Sequence, residues 1–103
     1  MWTIPYPQEI NDIPAVMARQ AGAEEFADMI VANFDEMLQQ SKAQPLVMGI
    51  ALHPYIIGQP FRLRAFRRAM DHILKRRDEL WITTPGEIAR YCETLPANIL
   101  PKP

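Results

Sequence analysis

The chain has 103 residues, of which 49% are hydrophobic and 22% are charged. This length fits one domain or part of one, and the composition argues against a disordered protein. The net charge of −1 at pH 7 gives no overall attraction to nucleic acid or to an anionic membrane. No stretch approaches the roughly 18 apolar residues of a membrane span. Cys92 is the only cysteine, which favours a reducing, cytoplasmic location.

Three units, each a strand followed by a helix, are predicted along the chain. The first begins with a short strand at residues 1–6, which Pro5 and Pro7 end. A loop follows, with a helical turn from Pro14 to Arg19 and then a long helix from about Ala23 to Ser41. Apolar residues at steps of three and four predict one buried face for this helix. They are Phe26, Met29, Ile30, Phe34, Met37 and Leu38.

The second unit is built on the uncharged apolar run at residues 45–52. This run is too short for a buried helix, so it is predicted to be a strand covered on both faces. His53 stands at its carboxyl end, where α/β proteins place their active sites. Pro54 cannot continue a strand ladder. A helix is then predicted from about Pro60 to Arg77, with proline at its first position.

The third unit is a short strand at residues 80–83 followed by a helix that begins at Thr84. Thr84 and Glu87 have the spacing of a capping box, with proline at the first helical position. The helix is expected to stop before Pro96. Residues 97–103 contain two prolines and are predicted to be an extended tail.

Strands that alternate with helices predict parallel strands joined by right-handed crossovers. The predicted fold class is therefore α/β, with three consecutive strand–helix units that form a partial (β/α) barrel. Three parallel strands leave both sheet edges unpaired. We therefore expect the chain to be part of a larger barrel, which ordinarily needs about 250 residues.

In this layout the three strand ends bring polar side chains to one rim. The alternative for His53 is a buried histidine bonded to a backbone carbonyl, and Asn11 and Asp12 are also common in turns and caps. The residues expected near the rim are Tyr6, Glu9, Asn11, Asp12, His53, Pro54, Tyr55, Thr83, Thr84 and Glu87.

Seven of the eleven Lys and Arg residues lie between Arg62 and Arg77. A nucleic-acid surface is one interpretation. No aromatic residues alternate with the exposed basic positions, as a base-stacking surface would require. We therefore favour a solvated helix face beside the acidic helix and predict no nucleic-acid partner. Arg62 differs from the rest because it lies near the helix start and closer to the rim.

Three blocks of sequence, residues 4–12, 52–62 and 81–88, resemble the C-terminal part of the polysaccharide deacetylase (NodB-homology) family. They are most similar to its allantoinase-like branch. The middle block is the most specific, with a Leu-His-Pro strand end followed by Gly-x-Pro-x-Arg. The resemblance implies that residues 1–96 are the C-terminal portion of a distorted (β/α) barrel. It also implies a hydrolase of non-peptide C–N (amide) bonds in which His53 is the general acid toward the leaving nitrogen.

The resemblance implies a substrate pocket lined by residues of the same blocks. The implied pocket residues are Tyr6, Glu9, Asn11, Asp12, Pro54, Tyr55 and Arg62. Sugar N-acetyl groups, ureides and other small amides all remain open as substrates.

The family's Asp-Asp pair and His-x-x-x-His metal motif belong to its N-terminal half, and neither occurs in this chain. No metal or other cofactor is therefore expected on this chain. A divalent metal such as zinc is implied only together with the missing half, so the chain alone is predicted to be inactive. The predicted partner is that half or a second copy. The alternative function is a non-catalytic α/β module that dimerises or binds a partner through open sheet edges.

Overall fold

The computed structural model of the protein describes residue 4 and residues 6–7, 9–18, 20–96 and 98–99. Within these residues the regular secondary structure is helical. Its elements are a π-helical turn (Ile13–Ala18), α1 (Ala23–Gln40), α2 (Pro54–Ile57), α3 (Pro60–Leu74), a 3₁₀ turn (Arg77–Glu79) and α4 (Pro85–Glu93). The three longer predicted helices are confirmed, although α3 ends at Leu74 rather than Arg77.

The hydrophobic core forms where α1 packs against α3. Phe26, Ile30 and Phe34 recur at four-residue steps on α1, so all three face the partner helix and are buried. The buried side chains that α3 contributes are Ala65, Ala69 and Ile73. The two alanines are small enough for the large α1 side chains to pack closely over them. Removing each large side chain from water contributes roughly 1.5–3 kcal/mol to folding.

Ion pairs join the same two helices at the surface. Arg68 of α3 contacts Glu24 of α1 at 2.9 Å and Asp28 at 2.8 Å. Hydrogen bonds from its guanidinium, first to Asp28 and then to Glu24, raise the pKa of Arg68 above its ordinary value. One turn further along, Nε2 of His72 lies 2.7 Å from Oδ1 of Asp35. The basic helix therefore lies beside the acidic one, as predicted.

The prediction of an α/β partial barrel with parallel strands is wrong. Among the described residues there is no strand, sheet or barrel, and the sole strand-like pairing is one parallel bridge between Asn11 and Ala51. A strand needs a neighbour whose N–H and C=O groups pair with it along its length. Apolar composition alone does not supply that neighbour. The three predicted strands therefore cannot be inferred from hydrophobic runs between helices.

The apolar run at residues 45–52 is extended, but it is not covered on both faces. Met48, Ile50 and Leu52 are half-buried and pack against the helical core. Leu46 and Val47 are 37% and 51% exposed. Ala51 is 6% exposed, so the carboxyl end of the run is covered by the protein while its amino end is open to solvent, without a sheet.

The predicted strand at residues 80–83 is also an extended connection. Trp81 and Ile82 are 58% and 65% exposed. The Trp81 ring meets the ring of Tyr91 on α4 edge to face, with the centroids 5.7 Å apart. This segment and α4 therefore present aromatic surface to solvent in place of a buried strand.

Helix α4 begins as predicted. Thr84 Oγ1 accepts a hydrogen bond from the backbone N–H of Glu87 at 3.3 Å. The Glu87 carboxylate does not complete the reciprocal half of the capping box, because it pairs with Arg90 at 2.7 Å instead. No residue of α4 is buried.

Some predictions fall outside the described residues. Residues 1–3 and 5 of the predicted first strand are not described, nor are residues 97 and 100–103 of the predicted tail. The predicted turn from Pro14 to Arg19 corresponds to Ile13–Ala18, and Arg19 is likewise not described. None of the helices in the described ranges is both long and apolar enough to cross a bilayer.

Candidate active site

Two distant parts of the chain meet at one backbone contact. The N–H of Ala51 donates to the carbonyl of Ile10 at 3.0 Å, and the N–H of Asp12 donates to the carbonyl of Ala51 at 3.0 Å. These two bonds flank Asn11 and define the parallel bridge. Asp12 and His53 come just after the bridge on their own segments, so their side chains reach the same place.

The Asp12 carboxylate holds His53 with both of its oxygens. Oδ1 lies 2.7 Å from Nδ1 of the His53 ring, and Oδ2 accepts from the backbone N–H of His53 at 2.6 Å. The Asp12 side chain is 0% exposed, whereas that of His53 is 31% exposed. A ligand can therefore reach the imidazole but not the carboxylate behind it.

The hydrogen bonds assign different tasks to the two ring nitrogens of His53. An ionised carboxylate only accepts hydrogen bonds, so the short contact with Asp12 requires a hydrogen on Nδ1. Nε2 is then an acceptor in the neutral ring and a donor in the charged ring. No hydrogen bond among the described residues involves Nε2. Nε2 is therefore the atom at which this ring can exchange a proton with a bound molecule.

The backbone of His53 is held at both of its polar groups. Its carbonyl accepts from the N–H groups of Ile56 at 2.9 Å and Ile57 at 3.0 Å, as His53 is the residue that precedes α2. Ile56 and Ile57 are buried and fix this short helix on the core. Pro54 starts the helix, where its missing N–H costs nothing. The ring is thus presented from a rigid turn, which the sequence had predicted to be a loop.

Asn11 is buried at 6% exposure beside this pair. Its Nδ2 donates to the carbonyl of Pro7 at 3.1 Å, and its Oδ1 accepts from the N–H of Ile13 at 3.2 Å. The side chain therefore connects the backbone on both sides of Asp12.

Two of the other predicted pocket residues lie close to His53 in the fold. The ring of Tyr55 is 65% exposed and its centroid lies 6.1 Å from that of His53, at an interplanar angle of 68°. Arg62 lies at the start of α3, where Nη1 donates to the carbonyl of Ile56 at 3.4 Å and the guanidinium lies 4.8 Å from the ring centroid of Phe61. Arg62 is therefore tied to the turn that presents His53.

The remaining predicted pocket residues are on the surface. Tyr6 is 67% exposed, and Glu9 and Pro54 are exposed as well. No side-chain hydrogen bond in the described ranges joins Tyr6 or Glu9 to His53. Their substrate-binding role stays a prediction.

The described residues do not provide a metal site. Nowhere in the described ranges do three His, Cys, Asp or Glu side chains come close enough to hold an ion. An open surface groove of about 490 Å³ lies elsewhere, along α3, between Gly58 and Asp71. Arg64, Arg67 and Arg68 line it, and His53 does not.

The direct contact between Asp12 and His53 was not predicted. The sequence marked both residues but gave them separate roles, one in the pocket and one as an acid. They are 41 residues apart, so no local spacing connects them. The available signal was partial: His53 follows an apolar run, whereas Asp12 follows the polar residue Asn11 and the single buried Ile10.

A buried carboxylate that orients a partly exposed imidazole defines an acid–base type of site. The chain is 29% identical over 89 residues to a Schizosaccharomyces pombe protein described as "Putative polysaccharide deacetylase". The match covers 84% of this chain but only 28% of the relative, so this chain corresponds to a small part of the relative's length. No protein-family model matches the chain, and no solved structure matches it.

This similarity supports a relationship with polysaccharide deacetylases at the level of the family. It does not distinguish branches within the family.

Proposed function

We propose that this chain contributes the general acid and part of the substrate pocket to a deacetylase-like hydrolase of non-peptide amide bonds. The similarity to the fission yeast protein supports the class of reaction. The single observation that carries the proposal is the pairing of the buried Asp12 carboxylate with Nδ1 of the exposed His53. An allantoinase-like specificity is part of the proposal.

The arrangement suits protonation of a leaving amine. Hydrolysis adds water to the amide carbonyl and breaks the C–N bond, and the departing nitrogen must gain a proton to leave as an amine. Charged His53 delivers that proton from Nε2, while Asp12 keeps the ring oriented through Nδ1 and stabilises its positive charge. The products are a carboxylate and a protonated amine, so the reaction consumes one water and no other reactant.

The residues that activate the water must come from elsewhere. In the part of the chain that the structure describes, no three-ligand group is available for a metal. We therefore infer that a divalent metal such as zinc, which would activate the water, and the general base reside on another polypeptide region. The N-terminal part of a deacetylase-like hydrolase is the proposed partner, and we expect this chain alone to be inactive.

The proposed substrate pocket extends from His53 along the exposed side of the turn. Tyr55 offers an exposed aromatic face beside the imidazole, on which a sugar ring or a small amide can pack. Arg62 offers N–H donors from the start of α3. Asp12 serves the site through His53 rather than by touching the substrate, because its carboxylate is buried.

The test is reconstitution of the complete hydrolase. The chain is mixed with a polypeptide from the same source that carries an Asp-Asp pair and a His-x-x-x-His motif, and zinc is added. Acetate release is measured from N-acetylated chitooligosaccharides, and ammonia or amine release from ureides and small amides. We expect activity only in the mixture, with a loss of about 10²–10⁴-fold for His53→Ala.

The matched control is His72→Ala, which removes the other histidine of the chain from its ion pair with Asp35 near the carboxyl end of α3. This variant should retain full activity. Equal rates for the His53→Ala mixture and the unmodified mixture would exclude His53 as the acid. Activity of the isolated chain would exclude the need for a partner.

The alternative is a non-catalytic module that associates with itself or with a partner. Its original basis, open sheet edges, is removed because the described residues form no sheet. The exposed pair of Trp81 and Tyr91 with neighbouring Ile82 gives it a different basis, since large exposed apolar patches mark association sites. Light scattering separates the two ideas: a homodimer that Trp81→Ser dissociates and Leu74→Ser leaves intact favours the module. The cytoplasmic location stays a prediction.

A further inference from the structure

The segment that carries Asp12 is held to the rest of the protein by very little backbone pairing. Two hydrogen bonds with Ala51 form the parallel bridge, and no ladder extends them within the described residues. In a sheet, many successive bonds and a buried face fix the register of a strand. A lone bridge does not provide that constraint. Other contacts must therefore hold the Asp12 carboxylate in the position that its two hydrogen bonds to His53 require.

The side chain of Asn11 is the contact that spans this segment. Its amide joins the carbonyl of Pro7, four residues earlier, to the N–H of Ile13, two residues later. Asp12 lies between these two anchor points. Asn11 is itself centred on the bridge, since the two bonds with Ala51 lie on either side of it.

The upstream anchor is packed against the second segment. A methyl group built on Gly49 would lie 3.5 Å from Cδ of the Pro7 ring, an ordinary van der Waals distance, so the Pro7 ring lies beside the second segment at Gly49. By holding the carbonyl of Pro7, Asn11 connects Asp12 to the segment that leads into His53. The Asn11 amide therefore connects the backbone around Asp12 with the segment that leads to His53.

We propose that Asn11 is a positioning residue that acts on His53 through Asp12. Its amide fixes the backbone around Asp12, the carboxylate then fixes a hydrogen on Nδ1 of His53, and Nε2 is left to exchange the proton. This inference rests on the proposed function only for its catalytic meaning. The orientation of the ring is a property of the chain itself and needs no substrate.

The test reads the ring nitrogens directly. Long-range ¹H–¹⁵N spectra of the ¹⁵N-labelled chain, recorded with the imidazole neutral, show which nitrogen of His53 carries the hydrogen. We expect Nδ1–H in the unmodified protein. In Asn11→Ala the ratio of the Nδ1–H form to the Nε2–H form should fall about tenfold, the factor that corresponds to a loss of about 1.4 kcal/mol of hydrogen-bond free energy.

Two further variants calibrate this measurement. Asp12→Asn replaces the charged acceptor. Its effect on the ratio of the two His53 ring forms is the largest that loss of the carboxylate can cause. Asn33→Ala removes an asparagine of α1 whose amide donates to Met37 Sδ at 3.4 Å and makes no side-chain hydrogen bond to Asp12 or His53 among the described residues, so the ring should be unchanged. An effect of Asn11→Ala in the direction of Asp12→Asn, with none from Asn33→Ala, supports the proposal.

Misfolding does not leave the question open. If amide dispersion shows that Asn11→Ala is unfolded, Asn11→Ser is used, since its hydroxyl can still accept from the N–H of Ile13 and is too short to donate to Pro7. A folded variant of either kind with an unchanged ring overturns the proposal, as does an Nε2–H ring in the unmodified protein. Amide hydrolysis that fails in reconstitution, with the ring change present, counts against the proposed function and not against the role of Asn11.

Discussion

Asp12 and His53 are 41 residues apart in the chain, yet the carboxylate of one lies 2.7 Å from the imidazole of the other. A second bond of 2.6 Å joins the same carboxylate to the backbone N–H of His53. The carboxylate is fully buried and the ring is not, so a ligand can reach the ring but not the carboxylate. This difference in burial distinguishes the pair from the other histidine pair, His72 with Asp35, in which both side chains are exposed.

The Asp12–His53 contact should couple the two residues energetically. We expect a double-mutant cycle of Asp12→Ala and His53→Ala, measured by urea denaturation, to give an interaction free energy of about 1.5–3 kcal/mol, because the contact involves a buried charge. The matched cycle of Asp35→Ala and His72→Ala should give about 0–1 kcal/mol, as for exposed ion pairs. Equal interaction energies for the two cycles would contradict the assignment of Asp12 as the buried partner.

The contact between α1 and α3 should dominate the stability of the protein. Ile30 is fully buried on α1, so Ile30→Ala should lower the free energy of unfolding by about 2–5 kcal/mol through lost burial and the cavity that remains. Ile30→Val removes a single methylene at the same position and should cost about 0.5–1.5 kcal/mol. Urea titration followed by circular dichroism measures both. If Ile30→Ala lowers the free energy of unfolding by no more than about 0.5 kcal/mol, as substitutions at surface positions do, the packing of α1 on α3 is contradicted.

The Arg68 ion pairs should be sensitive to salt but not to moderate changes in pH. Asp28 and Glu24 raise the pKa of Arg68. The stabilisation linked to that shift is fully present below the unfolded-state pKa and is lost only as pH rises through the folded-state pKa, in strong alkali. Arg68→Gln should therefore lower Tm by a similar, small amount at pH 6, 7 and 8.

The effect of salt on the Tm of Arg68→Gln tests whether Arg68 acts through its charge. The decrease in Tm should shrink in 1 M NaCl, where the screening length is about 3 Å. Arg67→Gln removes the neighbouring exposed arginine, which lines the same groove. It is the control and should change Tm less. A decrease in Tm for Arg68→Gln that salt does not alter would show that the guanidinium acts by packing rather than by charge.

The cap of α4 should control that helix alone. Thr84→Ala removes the side-chain acceptor for the N–H of Glu87 and should destabilise α4 by about 0.5–2 kcal/mol. Because α4 buries no residue, hydrogen exchange should accelerate in α4 amides and remain unchanged in α1. Thr83→Ala, one residue before the cap, should leave exchange in both helices unchanged. Accelerated exchange throughout the protein in Thr84→Ala would mean that α4 is coupled to the core.

The helices could be predicted because their signals are local. Three- and four-residue steps of apolar side chains marked α1, and proline at a first helical position marked the starts of α3 and α4. The strands could not be predicted in the same way. The runs at 45–52 and 80–83 are apolar enough for strands, but strand formation depends on a hydrogen-bonding neighbour that a sequence pattern does not identify.

The sequence by itself determined the three longer helices, the apolar faces that join α1 to α3, and the candidate importance of His53 at the end of an apolar run. Only the tertiary structure decided that Asp12 is the partner of that histidine and that Asn11 ties the backbone on both sides of Asp12. The physical reason is range. Helical periodicity and capping act over a few residues, whereas the contact between carboxylate and imidazole exists only after the core has brought two distant segments together.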